Sequence, residues 1–74
     1  MAIFKVSTRD GSVSLIVRAC CMSCAREIAV ERSPEGEASM WAIARVDLVH
    51  NPEQQGYLRD GRSGIVKRSS HGPA

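Results

Sequence analysis

The chain has 74 residues, a formal net charge of +2 at pH 7 and a hydrophobic fraction of 43%. A chain this short forms one domain with a thin core, because it buries only about 60% of the surface that its unfolded form exposes. The small net charge does not indicate nucleic acid by itself. The sequence contains no run of about 18 apolar residues, the length that a membrane span requires, and we identify no signal peptide at its start. We therefore expect a cytoplasmic chain with reduced cysteines.

Two strands joined by a tight turn are predicted at the start of the chain. Residues 3–8 and 12–19 are rich in β-branched side chains, and Asp10 and Gly11 stand between them. Asp-Gly between such runs is a strong hairpin signal, because both residues tolerate a positive φ. The period of two in the second strand predicts that only one of its faces is buried, the face that carries Leu15.

The period changes to that of a helix at Cys20, and we expect a helix over Met22–Arg32. Its apolar positions follow the spacing of an amphipathic helix: Cys21, Cys24, Ala25, Ile28 and Ala29. Glu27 and Glu31 then point outward. Pro34 and Gly36 are expected to end the helix, because proline cannot continue the hydrogen-bond ladder.

The next two segments differ in how clearly they can be interpreted. Residues 37–43 allow either a short second helix or an extended lead-in, and seven residues do not decide between them. Residues 44–50 alternate between apolar and polar side chains. They are predicted to form a third strand with Val46 and Leu48 facing inward, ended by Asn51-Pro52.

The last predicted element is a short edge strand at residues 64–68, after a glycine-containing loop. Residues 69–74 are expected to be a disordered tail, which leaves residues 1–68 as one domain. The predicted fold is α+β: a small antiparallel sheet of order β-β-α-β-β along the chain, with one helix packed on one face. Because an edge strand in a thin domain invites pairing, we also consider a homodimer.

Three cysteines, Cys20, Cys21 and Cys24, lie at the junction of the second strand and the helix. Free cysteine behaves as a small hydrophobe, so we expect these residues to pack in the core and the protein to need no cofactor. Thiol–disulfide chemistry is an alternative, because a helix N-terminus lowers the pKa of a thiol. Strand, C-x-x-C and helix follow one another in thioredoxin- and glutaredoxin-like proteins, but here a hairpin precedes the strand instead of a βαβ element.

A metal site is a further alternative, which we rank below packing. A structural zinc site needs four ligands, and beyond the three cysteines the nearest candidate in the sequence is His50, followed by His71 in the expected tail. The run Met-Ser-Cys-Ala at residues 22–25 resembles the start of the M-x-C-x-x-C loop of heavy-metal-associated domains. Glu27 occupies the position of the second cysteine of that motif, and a carboxylate is a poor ligand for Cu(I).

Charge is unevenly distributed, since residues 59–68 carry four cations and a single acid. Segregated charge steers a charged partner, and Arg and Tyr are enriched in interface hot spots. We expect a partner-binding surface made of Arg59, Arg62, Tyr57 and Arg68, with Glu27 and Glu31 second. Nucleic acid is an alternative partner, ranked lower because the net charge is small. The sequence offers no nucleophile–base pair, which predicts a protein that is not an enzyme.

A wider resemblance covers about residues 2–68. It rests on residues 17–31, VRACCMSCAREIAVE, together with SPEG at residues 33–36 and Trp41. This pattern resembles small accessory proteins of temperate bacteriophages of Gram-negative hosts, a size class that includes anti-CRISPR proteins. The resemblance implies a non-enzymatic protein that binds a larger host or phage assembly and inhibits or modulates it. It assigns no role to any single residue, because that group shares no common site.

Overall fold

The computed structural model describes residues 1–33 and 37–70. Its elements follow the predicted order, with one additional helix: β1 Ala2–Ser7, β2 Val13–Ala19, α1 Met22–Arg32, α2 Ala38–Ala42, β3 Arg45–Leu48 and β4 Gly64–Ser70. A 3-10 helical turn lies at Pro52–Gln55. The four strands form one antiparallel sheet of spatial order β3-β1-β2-β4. The predicted α+β class is confirmed.

The β1–β2 hairpin holds the two central strands of the sheet. Gly11 adopts a positive φ of 76°, as the Asp-Gly turn predicts. The Asp10 carboxylate accepts hydrogen bonds from the backbone N–H and the hydroxyl of Ser12 and from the hydroxyl of Thr8. These bonds lower the pKa of Asp10, chiefly through Ser12, and tie the turn to its own side chain.

The main core lies between the sheet and the two helices. Ala25 and Ala29 of α1 are fully buried and let the helix approach the strands closely. The undecided segment at 37–43 contains a short helix, α2, and the side chain of its Trp41 is fully buried in the core. Ala44 and six strand residues complete this cluster: Phe4, Val6, Leu15, Val17, Ala19 and Val46. None of the helices in the described residues has the length and apolar character that crossing a membrane requires.

The opposite face of the sheet is also covered, so the prediction that β2 buries only one face was wrong. Ile3 and Ile16 on this face are buried, as is Pro52 from the long loop at residues 49–63. Arg18 holds the loop: its guanidinium donates hydrogen bonds to the carbonyl oxygens of Leu58 (2.9 Å) and Arg62 (3.1 Å). The loop at residues 49–63 therefore forms a third layer, on the sheet face opposite the helices.

Gly61 is required where the loop passes over Arg18. Its φ is +130°, which favours glycine, and a Cβ atom there would lie 2.7 Å from Nη1 of Arg18. A side chain at position 61 would therefore displace the guanidinium that holds the loop.

Two boundary predictions need correction. Leu48 was expected to face inward with Val46, but it is the last residue of an edge strand and is 44% exposed. Ser69 and Ser70 were assigned to a disordered tail, but β4 extends through both because they pair with Ser14 and Val13. Residues 71–74, and the predicted helix-ending pair Pro34 and Gly36, lie outside the described residues.

Two leucines allow a matched test of the core. Leu15 is 1% exposed within the main cluster and Leu58 is 64% exposed in the loop. We expect Leu15→Ala to lower the free energy of unfolding by about 2–5 kcal/mol, because it leaves a cavity. Leu58→Ala should change it by less than about 0.5 kcal/mol. Urea unfolding followed by Trp41 fluorescence measures both, and equal effects would contradict this placement of the core.

Candidate thiol site

The three cysteines lie at the junction of β2 and α1. Cys20 follows the last residue of β2, Cys21 is the N-cap of α1, and Cys24 lies in the first turn. Cys21 has an extended backbone (φ −157°, ψ 169°), which turns its side chain back over the start of the helix. Its Sγ accepts a hydrogen bond from the backbone N–H of Cys24 at 3.2 Å. A sulfur atom thus takes the place that a hydroxyl or carboxylate oxygen usually occupies in an N-cap.

The three sulfur atoms converge at this junction. Sγ of Cys24 lies 2.7 Å from Sγ of Cys21 and 3.3 Å from Sγ of Cys20, and all three lie within 4.8 Å of one another. Cys20 is exposed, whereas Cys21 and Cys24 are half-buried. The expectation that the cysteines are core packing therefore holds only for one side of Cys24, which contacts the main cluster. The thiols form an accessible cluster instead.

The neighbouring thiols shift one another's pKa in opposite directions. When Cys21 is ionised, a hydrogen bond from the Cys24 thiol, followed by bonds from Ser23 and from the Cys24 backbone N–H, stabilises the thiolate and lowers the pKa of Cys21 to about 7. The same contact with Cys21, followed by the contact with Cys20, raises the pKa of Cys24 to about 12. The lowered pKa favours the thiolate form of Cys21, and the raised pKa favours the protonated form of Cys24, which suits Cys21 as the first attacking sulfur of the pair.

His50 does not join the thiols. The group of potential metal ligands in the described residues contains the three cysteines alone. His50 instead lines a shallow concavity of about 250 Å³ with Met1, Leu48 and Arg59, and its carbonyl oxygen accepts a hydrogen bond from Arg59. The alternative four-ligand set of three cysteines and His50 is therefore not brought together in the described residues. His71 lies outside the described residues.

Three of the predicted partner-binding residues belong to the loop on the sheet face opposite the helices. Arg59 is exposed and forms an ion pair with Glu53 at 3.1 Å. Arg62 is exposed and uses its carbonyl oxygen to hold Arg18. Tyr57 is half-buried, and its backbone N–H donates to the carbonyl oxygen of Pro52.

The other three predicted contact residues lie elsewhere. Arg68 of β4 reaches the helix side of the sheet and pairs with Glu37 at 3.0 Å. Glu27 and Glu31 are exposed on α1, where they border a shallow depression with Val30. The six residues are therefore spread over the loop, the sheet edge and the outer side of α1, and they do not form one continuous surface.

The sequence interpretation missed the capping role of Cys21, although a signal was available. A helix that begins at Met22 places Cys21 immediately before it, which is the N-cap position. The side chain of an N-cap turns back toward the helix start, so helical periodicity does not apply to it. The anchoring role of Arg18 had no comparable signal, because its acceptors lie about 40 residues further along the chain.

No family model, curated protein or solved structure matches the chain. The resemblance to phage accessory proteins therefore stays a prediction.

The pKa difference within the pair predicts pH-dependent alkylation. Because only the thiolate reacts, alkylation of Cys21 by iodoacetamide should be half-maximal near pH 7, while Cys24 should stay slow far above that pH. Cys24→Ala removes the main hydrogen-bond donor and should move the Cys21 midpoint toward that of a free thiol, about 8.5. Residues 19–26 form one tryptic peptide that carries all three cysteines, so tandem mass spectrometry of its fragment ions across a pH series assigns each rate. A Cys21 midpoint unchanged in Cys24→Ala would contradict the stated cause.

Proposed function

We propose that the protein is a thiol–disulfide redox module in which Cys21 and Cys24 interconvert between a dithiol and a disulfide. The observation that carries this proposal is the 2.7 Å separation of their Sγ atoms at the N-terminus of α1. A disulfide bond is about 2.05 Å long, so the two sulfurs need only a short movement to close it. The capping hydrogen bond from the Cys24 backbone N–H to Sγ of Cys21 holds the Cys21 side chain over the first turn, on the side where Cys24 lies.

The reaction balances with a small-molecule disulfide as the oxidant. The Cys21 thiolate attacks one sulfur of that disulfide, a mixed disulfide forms, and one small thiolate leaves. Cys24 then loses its proton to solvent and attacks Sγ of Cys21, which releases the second small thiolate. Two electrons pass from the dithiol to the small-molecule disulfide, and the Cys21–Cys24 bond remains.

The surroundings support Cys21 as the attacking residue. Its Sγ lies at the helix N-terminus, where the backbone N–H of Cys24 and the hydroxyl of Ser23 are within hydrogen-bond reach. The partial positive charge of the helix N-terminus stabilises a thiolate there. Cys24 is held behind it against the core, which places it to resolve a mixed disulfide from the side away from solvent.

Equilibration in mixtures of reduced and oxidised glutathione tests this proposal. We expect the full chain to form one intramolecular Cys21–Cys24 disulfide. The free thiol is blocked, the bond is reduced, the released thiols receive a second label, and tandem mass spectrometry of the peptide 19–26 locates both labels. Cys20→Ser should form the same bond, because Cys20 takes no part in it. Cys24→Ala should instead accumulate a glutathione adduct on Cys21, since the resolving thiol is absent.

Two results would overturn the redox proposal. One is a wild-type chain that retains three free thiols in the most oxidising mixture. The other is a disulfide that maps to Cys20 and disappears in Cys20→Ser. Far-UV circular dichroism of each variant establishes that the fold is retained.

A second candidate function keeps the expectation of a binding protein. We propose that the concavity lined by Met1, Leu48 and Arg59 receives an acidic, partly apolar segment of a larger host or phage protein assembly, whose activity is thereby inhibited or modulated. Met1 is 55% and Leu48 44% exposed, and Arg59 supplies a cation beside them. Apolar surface with an arginine at its border is typical of interface hot spots. Nucleic acid is less favoured, because Arg59 and Arg68 already pair with glutamates.

The concavity makes a position-specific prediction. A bacterial protein captured by the wild-type chain at low salt should be lost with Leu48→Asp, because a carboxylate would enter apolar surface and repel an acidic segment. The control is Glu31→Gln on α1, which lies in a different surface depression and should retain capture. Capture that survives Leu48→Asp, or that is lost equally in the control, would contradict this candidate.

A further inference from the structure

We propose that, in the dithiol state, Cys20, Cys21 and Cys24 together bind one soft, thiophilic metal ion of the Cu(I) type through their three Sγ atoms. This inference goes beyond the redox function, because it assigns a role to Cys20, which the Cys21–Cys24 disulfide does not use. It also requires all three thiols to bind the same ion, whereas the redox function uses only Cys21 and Cys24.

The convergence of the three sulfurs carries the inference. All three lie within 4.8 Å of one another, and Cys24 is in contact with both of the others. A metal–sulfur bond of about 2.3 Å places three trigonal ligands about 4 Å apart. The two sulfur–sulfur contacts of 2.7 and 3.3 Å therefore widen by about 1 Å when an ion enters between the sulfurs, within the reach of side-chain rotation.

Chain geometry explains why three cysteines so close in sequence reach a common point. Cys20 leaves β2 as the strand ends, and Cys21 turns back over the helix as its N-cap. Cys24 stands one turn further along, so it faces both. The strand end and the helix start are fixed relative to each other because α1 packs on β2 through Ala25 and Ala29.

The donor set selects the class of ion. Thiolates are soft ligands, and they favour Cu(I) over hard cations such as Mg²⁺ or Ca²⁺. Structural zinc sites take four protein ligands, whereas the thiol group in the described residues gains neither a histidine nor a carboxylate. Three thiolates with no fourth protein donor suit a three-coordinate monovalent ion. The exposed Cys20 leaves an entry path, and the half-buried Cys21 and Cys24 shield the ion from water.

An anaerobic titration with Cu(I) tests the site. The fully reduced chain is titrated with Cu(I), supplied as its acetonitrile complex, in competition with a chromophoric Cu(I) chelator. We expect one Cu(I) per chain and sulfur-to-copper charge-transfer absorption in the near ultraviolet. Loss of an outer-shell partner already weakens metal sites about ten- to a hundredfold, so Cys20→Ser, which removes a ligand, should weaken binding at least about tenfold.

The variants separate this inference from the redox proposal. Cys20→Ser should lose Cu(I) affinity but retain the Cys21–Cys24 disulfide, whereas Cys24→Ala should lose both. His50→Ala is the matched control and should bind Cu(I) as the wild type does, because His50 lies outside the thiol group. Urea unfolding midpoints show that each variant is folded.

Three outcomes would overturn the metal site. The first is no competition with the chelator by the reduced wild-type chain. The second is unchanged affinity in folded Cys20→Ser, which would reduce the site to two ligands. The third is a stoichiometry of one ion per two chains, which would place the ion between copies and not within the cluster. A redox-competent chain that shows any of these would refute the metal site alone.

Discussion

The close packing of α1 on the β1–β2 hairpin is the contact on which the rest of the molecule depends. Ala25 and Ala29 have no exposed surface and present no long side chain, so the helix axis approaches the strands. That approach brings the N-terminus of α1 directly to the end of β2. The two-residue connection, Cys20 and Cys21, is then too short to move away from the first turn, and the thiols of the connection meet the thiol of Cys24.

Local signals predicted most of the fold, because they act over a few residues. Asp10-Gly11 predicted the hairpin, and the change from a period of two to helical spacing at Cys20 predicted α1 with its observed bounds, Met22–Arg32. The covering of the second sheet face was not predictable in this way. It depends on Arg18, whose hydrogen-bond acceptors lie about 40 residues further along the chain, and a period of two says nothing about what lies over the other face.

Helical periodicity did not predict the positions of the three thiols correctly. Cys21 and Cys24 fit the apolar spacing of α1, and that fit predicted burial in the core. Spacing arguments hold for residues with helical backbone angles, but the ψ of 169° at Cys21 is that of an extended residue. Its side chain therefore caps the helix, and Cys24 is drawn toward it. Cys20 lies outside the helix, so only the three-dimensional path of the connection places its sulfur beside the others.

The two proposed chemistries share two sulfurs, and this sharing couples them. A Cu(I) ion that binds only the dithiol state stabilises that state by mass action. Stabilising the reduced form raises the reduction potential of a cysteine pair, so Cys21 and Cys24 become harder to oxidise while the ion is held. Oxidation in turn removes two of three ligands and leaves Cys20 alone, which is too weak a site to retain the ion. Under these two proposals, metal occupancy and disulfide formation would exclude each other in one chain, because the ion and the disulfide bond use the same sulfurs of Cys21 and Cys24.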